Sequence, residues 1–355
     1  MLESPSRPPD GVSLPELRRE PLSGEWTILA PARSLRPGGR GLGDVGVDGE
    51  RKQGTGSVPA CPFCPGNEAL TPPEIWAEGR ERGGPDSPGW KIRVIPNLYP
   101  ALGGEDEGKG KGAQRRSRDG ISRLARGRHE VIIHTPAHHL PLYRMEPADS
   151  VRLMHAYRLR CRALRDVAGV RQILFIVNQG REAGASLEHP HTQVFALPVV
   201  PRVLREEIRN SRRLSSRGCP LCTAGEKARR DGRVIAENDG WTALVPFAAR
   251  LPYETWFVPR RHEPDFARAR DGELRAMADI IMRVLAALAG ALDDPPYNLW
   301  LHTSPCDGKD YHEFHFHLEL VPRLAIEAGF EMASGMHINV VPPEEAARRL
   351  RESLP

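Results

Sequence analysis

At 355 residues, with 39% apolar and 27% charged side chains, the chain has the make-up of a soluble globular protein with room for one large domain or two ordinary ones. A net charge of +4 is too mild to point to a polyanionic partner. No apolar run would span a bilayer, and the opening Met-Leu-Glu-Ser-Pro-Ser-Arg-Pro-Pro-Asp lacks a signal-peptide core, so a cytoplasmic protein with no membrane partner is expected.

Residues 1–13 are proline-rich and polar and read as disordered. Residues 25–30 predict a strand leading into Arg33 and Arg36, and the glycine-rich 37–58 a mobile loop. Cys61-Pro-Phe-Cys64-Pro-Gly reads as a knuckle-type turn, and 92–95 as a strand ending at Pro96-Asn97. Residues 103–127, charged and almost free of apolar periodicity, predict a flexible insertion. A strand over 129–134 closes at Thr135-Pro-Ala-His138-His139. A helix over 147–168, capped by Asp149-Ser150, is read through Val151, Met154, Tyr157, Leu159 and Leu164.

The β-branched run 173–177 then feeds Asn178-Gln-Gly-Arg-Glu-Ala-Gly-Ala-Ser-Leu-Glu-His-Pro-His-Thr-Gln193. Gly180 and Gly184 open a loop whose backbone can approach a ligand. Strand alternation places His189, His191 and Gln193 on one face. After Pro201 the order repeats: Cys219-Pro-Leu-Cys222, strands at 233–237, 242–245 and 254–258, His262, a helix over 272–292, a strand at 297–302, and the histidine-rich run 312–322. The interval from His138 to His189 is 51 residues and that from His262 to His315 is 53, each holding a helix, a strand and a loop. This predicts an internal duplication of an α+β unit, over 14–200 and 201–350.

Paired cysteines in a reducing compartment point to metal before disulfide. Zinc takes four tetrahedral ligands from thiolate and imidazole, so two sites are expected: Cys61, Cys64, His138 and His189, then Cys219, Cys222, His262 and His315. His139 can replace His138 in this reading, and His317 can replace His315. Cys161 and Cys306 have no partner and read as small hydrophobes. His191 is left over beside the first set. A neutral imidazole is a competent nucleophile towards phosphorus when its other nitrogen is fixed, and Gln193 and Ser186 can donate to a phosphoryl oxygen.

At these residues the chain resembles the galactose-1-phosphate uridylyltransferase family of the histidine triad superfamily. The resemblance rests on Asn178-x-Gly-x-x-x-Gly-x-Ser-x-x-His-Pro-His-x-Gln193, on Pro21-Leu-x-x-x-Trp26 with Arg33 and Arg36, and on Cys61-Pro-Phe-Cys64-Pro-Gly-Asn-Glu68. It extends to Pro96-Asn97, Thr135-Pro-Ala-His138, Pro322-Arg-Leu and Gly329-Phe-Glu-Met332. It implies antiparallel sheets with packed helices, a nucleophile at His191, a zinc ligand at His189 and a phosphoryl contact at Gln193. It likewise implies phosphate contacts at Ser186 and Asn178, Arg36 near the diphosphate with Arg33 also binding substrate, Asn97 near the nucleoside, and Glu331 and His337 on the hexose. The implied reaction moves UMP from UDP-glucose to galactose 1-phosphate, with a homodimer as a common family state. Ala185 and His337 stand where the best-known members carry cysteine and glutamine. Relatives with a Gly-Ala-Ser loop and two cysteine pairs include an adenylyltransferase acting on ADP-glucose. A zinc-dependent nucleic-acid-binding protein is the competing class; against it, the histidines lie about fifty residues apart rather than on one short finger helix, and no nucleic-acid partner is expected.

Overall fold

The computed structural model describes residues 14–36, 61–103, 115–117 and 120–355; the expectations for 1–13, for 37–58 and for most of the first half of 103–127 lie outside them. The strands are β1 (Glu16–Arg19), β2 (Trp26–Leu29), β3 (Trp76–Glu78), β4 (Ile92–Pro96), β5 (Arg115–Ser117), β6 (Gly120–Leu124) and β7 (Arg128–Ile133). They continue as β8 (Gln172–Gln179), β9 (His191–Leu197), β10 (Val234–Glu237), β11 (Trp241–Leu244), β12 (Thr255–Pro259), β13 (Tyr297–His302) and β14 (His317–Pro322). The helices are α1 (Pro147–Arg165), α2 (Arg202–Leu214), α3 (Pro220–Arg230), α4 (Asp271–Leu292), α5 (Gly329–Ser334) and α6 (Pro343–Glu352).

Ten strands form one sheet in the order β10-β11-β12-β14-β13-β8-β9-β7-β4-β3. Read outward from its middle, β8-β9-β7-β4-β3 and β13-β14-β12-β11-β10 are the same walk taken twice. The two halves join where β8 and β13 pair antiparallel, Asn178 opposite Asn298 and Val177 opposite Leu299. This is the duplicated antiparallel α+β architecture expected from the two similar intervals. The connection from β7 to β8 carries α1, and that from β12 to β13 carries α4.

Helix α1 buries Leu153, Met154, Tyr157, Cys161 and Leu164; α4 buries Leu274, Met277, Ile280, Ile281, Val284 and Leu288. These belong to one core with the sheet residues Val94, Ile132, Phe175, Val194, Phe257 and Leu299. Both stripes follow the three-four spacing of a one-sided helix. Leu159 falls off that stripe and is exposed, contrary to its expected core place. The cap also differs: α1 is entered from Glu146 with Pro147 in its first turn and no side-chain cap, because proline arrives with helical φ and no donor to satisfy.

A second, four-stranded sheet runs β2-β1-β6-β5. Here the expected insertion over 103–127 is corrected in part, since 120–124 is a strand pairing antiparallel with β1, Arg19 opposite Ile121. Its register is fixed by pairing with a distant strand, which local composition does not reveal.

Candidate active site and metal centres

Strand β8 ends at Gln179, and Gly180 turns the chain at φ +83, where a Cβ would meet Pro296 at 2.8 Å. That glycine therefore serves close packing against the second half. Gly184, at φ +85 with open space around it, is left-handed only for the turn. The strand expected to start at His189 starts at His191, because Pro190 has no N–H to give a ladder; its carbonyl still accepts from His134 N–H. His189 thus ends the loop and turns toward the knuckle, while His191 opens β9 opposite Ile133.

Four donor atoms, from Cys61, Cys64, His138 and His189, lie within 4.8 Å of one another. Sγ of Cys64 is 3.2 Å from His138 Nδ1 and 3.6 Å from His189 Nδ1, and Sγ of Cys61 is 3.8 Å from His189 Nδ1. His189 donates from Nε2 to the carbonyl of Thr135 at 2.7 Å, which leaves Nδ1 as the lone pair facing the thiols. Burial holds its pKa down at about 4, in the neutral form a metal needs. His139 is exposed beside Glu188, so His138 is the imidazole at this group.

The second set repeats the plan. Cys222 Sγ lies 3.7 Å from His262 Nδ1 and 3.5 Å from His315 Nδ1, with Cys219 Sγ 3.6 Å from the latter. His262 donates from Nε2 to the carbonyl of His312 at 2.7 Å. Bond lengths of about 2.3 Å to sulfur and 2.0–2.1 Å to nitrogen give a tetrahedron with S···N edges near 3.5 Å. Both sets bracket that edge, so the residues fit zinc. In the second set His315, not His317, faces the cysteines.

His191 is buried, and its Nδ1 donates to the carbonyl of His189 at 2.8 Å. Nε2 therefore carries the lone pair, and among the described residues no hydrogen bond is made to it. Burial lowers the pKa of this ring, opposed by the bond at Nδ1. Phe63, from within the first knuckle, meets both rings edge-on at 6.0 Å from His189 and 5.4 Å from His191. Two residues on, Gln193 Oε1 lies 3.1 Å from His129 Nε2, and Asn97 Nδ2 lies 3.2 Å from the same nitrogen. Arg33 donates to the Tyr99 carbonyl at 2.8 Å and is close enough to depress the His129 pKa; burial first, then Arg36, lower its own. The structure thus brings His191, Gln193, Asn97 and Arg33 to one region.

Asn178 sits on β8, accepting from Asn298 Nδ2 at 2.8 Å, and Ser186 is exposed in the loop before His189. Glu331 accepts from the Ala328 N–H in the first turn of α5, and His337 pairs with Glu327 at 3.2 Å. No described hydrogen bond or ion pair joins these last two to the His191 region.

Sequence reasoning missed His129, which sits at the start of β7 between Arg128 and Glu130 with no motif around it. It also missed the group Glu207, His302, His317 and Glu319, whose donor atoms lie within 4.8 Å of one another. There Glu319 accepts from Arg250 and faces His317 Nε2 at 3.3 Å, while His302 Nδ1 meets Glu207 at 3.0 Å. The spacing of these residues in the chain carries no recognisable signature.

Fold and site together define a duplicated α+β protein with an open imidazole nitrogen on the His-x-Gln strand and a cysteine–histidine cluster in each half. The chain belongs to the galactose-1-phosphate uridyl transferase family, whose N-terminal domain matches residues 6–201 and whose C-terminal domain matches residues 214–355. It is 34% identical over 346 residues to an ADP-glucose phosphorylase of Arabidopsis thaliana, covering 95% of this chain and 93% of that one. It is 31% identical over 351 residues to a galactose-1-phosphate uridylyltransferase of Thermotoga maritima, covering 95% and 98%. The crystal structure of an ADP-glucose phosphorylase from Arabidopsis thaliana with bound ADP-glucose superposes with a TM-score of 0.72 at 32% identity, covering 95% of this chain and 99% of that one. The family makes the chain a nucleotidyltransferase, and among the described residues no helix is long and apolar enough to cross a membrane.

Proposed function

We propose that the chain moves a nucleotidyl group between a nucleotide sugar and a hexose 1-phosphate through a covalent intermediate on His191. The observation that carries this reading is the Nδ1–H bond to the His189 carbonyl, which leaves the Nε2 lone pair free beside Gln193. Nε2 attacks the α-phosphorus, a P–N bond forms, and the P–O bond to the hexose 1-phosphate breaks. A second hexose 1-phosphate then attacks the same phosphorus and returns the imidazole. The leaving group is a phosphate monoester, already a weak base, so no strong general acid is required. Gln193, Ser186 and Asn178 serve the phosphoryl group, Arg36 the diphosphate, Asn97 the nucleoside, and Glu331 and His337 the hexose, with Arg33 a further substrate-binding residue. The two Cys2His2 sets hold structural zinc, which ties the knuckles to the sheet. The protein works as a cytoplasmic homodimer with no nucleic-acid partner.

UDP-glucose with galactose 1-phosphate is the substrate pair favoured by the resemblance, most of whose matching motifs are those of uridylyltransferases. A second reading, ADP-glucose as donor, is supported by the 34% identity to the Arabidopsis ADP-glucose phosphorylase. Incubation with α-labelled nucleotide sugar tests the shared chemistry: acid-labile label is expected on the wild type, and none on His191→Gly. Label that persists on His191→Gly sinks the assignment.

A further inference from the structure

The His129 imidazole is held on three sides. The Ala101 N–H donates into its Nδ1 at 3.0 Å, Phe195 stacks on its face at 4.0 Å between centroids, and Nε2 points to Gln193 Oε1 at 3.1 Å. A backbone N–H can only donate, so Nδ1 is an acceptor and the single ring proton sits on Nε2. That proton goes to Gln193 Oε1. The carboxamide is thereby set one way round: oxygen toward His129, NH2 away from it. The Asn97 Nδ2 amide also faces the protonated nitrogen, but as donor against donor, so Gln193 is the acceptor that the ring proton has.

The second half shows the same position wired otherwise. Val131 stands opposite Gln193 in β7 and β9, and Trp256 stands opposite Glu319 in β12 and β14. His129 and Glu254 each lie two residues earlier, so they are equivalents. Between Glu254 and Glu319 stands Arg250, which donates to both carboxylates. Glu319 then turns its other oxygen to His317 Nε2 at 3.3 Å, where Gln193 leaves His191 Nε2 open.

We propose that His129 is a positioning residue that fixes the Gln193 carboxamide so that its NH2 is presented to the phosphoryl group in transfer. This rests on the reading of His191 as the nucleophile. With the oxygen anchored, a phosphoryl oxygen meets a donor with no reorganisation at the moment of attack; a free amide spends part of its time offering a lone pair instead. Burial holds the His129 pKa at about 3, so the ring stays neutral and this orientation persists through the working pH range.

The test is a double-mutant cycle on His129→Ala and Gln193→Ala, read as the labelling rate of His191 by α-labelled nucleotide sugar and as steady-state kcat. His129→Ala is expected to slow labelling on the order of 10-fold with KM unchanged, and Gln193→Ala on the order of 100-fold. The double variant is expected to be no slower than Gln193→Ala alone, because an absent amide needs no orienting. His129→Asn, which keeps an N–H donor, should recover part of the loss. Melting temperature and metal content of each variant separate folding from positioning. Losses that multiply in the double variant, or a His129→Ala protein that is less stable yet labels at the wild-type rate, would overturn the proposal. A wild type that turns over without taking label defeats the covalent reading instead, and the coupling of His129 to Gln193 is still read from kcat.

Discussion

His191 donates from Nδ1 to the backbone carbonyl of His189, so a ligand of the proposed first metal site also sets the tautomer of the proposed nucleophile. The His189 ring is in turn aimed by Thr135 and by the thiols of Cys61 and Cys64. Close to two equivalents of zinc per chain are expected in purified protein. Cys61→Ser and Cys219→Ser should each lose about one equivalent and lower the melting temperature, since binding free energy at such a site is folding free energy. Only Cys61→Ser should also depress the labelling of His191. Metal-free protein that folds normally would rule out the structural role.

His317 repeats the His191 arrangement, with Nδ1 donating to the His315 carbonyl at 3.0 Å, yet its Nε2 is taken up by Glu319. A nitrogen held against the buried Glu319 carboxylate is a poor nucleophile, and the Glu319 and Glu207 carboxylates beside it repel a phosphate. One label per chain is therefore expected. Glu319→Gln should not create a second labelled site while Glu207 still faces His302. Two labels per wild-type chain would contradict this.

Acid sensitivity follows from His129. Its folded pKa is about 3, against about 6.5 in the unfolded chain. Between those values the unfolded chain binds the proton and the folded chain does not, so stability falls as pH drops through that window and is unaffected above it. The loss attributable to this one group approaches ~1.4 kcal/mol per pH unit. Denaturation of wild type and His129→Asn, followed from pH 7 to pH 4, should give curves that differ by about one proton in slope. Parallel curves would mean that His129 is already charged in the fold.

The sequence revealed most where chemistry and period coincide. Residues 297–302 and the α4 stripe were readable because a buried strand and a one-sided helix each repeat a strong apolar pattern. The two cysteine pairs and the His191 loop were readable from residue type alone. What escaped is set by long-range pairing: β1 and β6 meet across about a hundred residues of chain, which no local window reports. The strand β3 was missed because three residues are too short to show a period, although it pairs with the nearby β4. His129 and the Glu207–His302–His317–Glu319 group escaped because polar residues on separate strands, and Glu207 on α2, come together only once the sheet register and helix packing are known.

The segment after β14 leaves large apolar side chains in solvent, among them Ile326 at 93%, Met332 at 77% and Val340 at 80% exposure. Several large apolar side chains left in solvent on one segment suit an interaction face. Sedimentation at micromolar concentration is expected to give a dimer, and Ile326→Asp with Met332→Asp should shift it to monomer. A wild type that sediments as a monomer would dismiss the homodimer.

The donor is decided by the groups around the base and the sugar, which differ from the nucleophile in being replaceable. Ala185 lies in the loop ahead of His189, and His337 pairs with Glu327 in the exposed segment that the resemblance places on the hexose. Changing a hydrogen-bonding group at a sugar site shifts preference by up to the order of 10⁴-fold when the site's own polar atoms are left unpaired. Two substitutions can therefore redirect specificity while His191, Gln193 and both cysteine–histidine sets stay as they are. The comparison is kcat/KM for UDP-glucose with galactose 1-phosphate against ADP-glucose with inorganic phosphate. An adenylyl reaction faster by about tenfold, or roughly 1.4 kcal/mol of transition-state binding, assigns the chain to ADP-glucose, and the reverse ratio assigns it to UDP-glucose. His191→Gly should abolish whichever of the two is faster, because both leave through the same nitrogen.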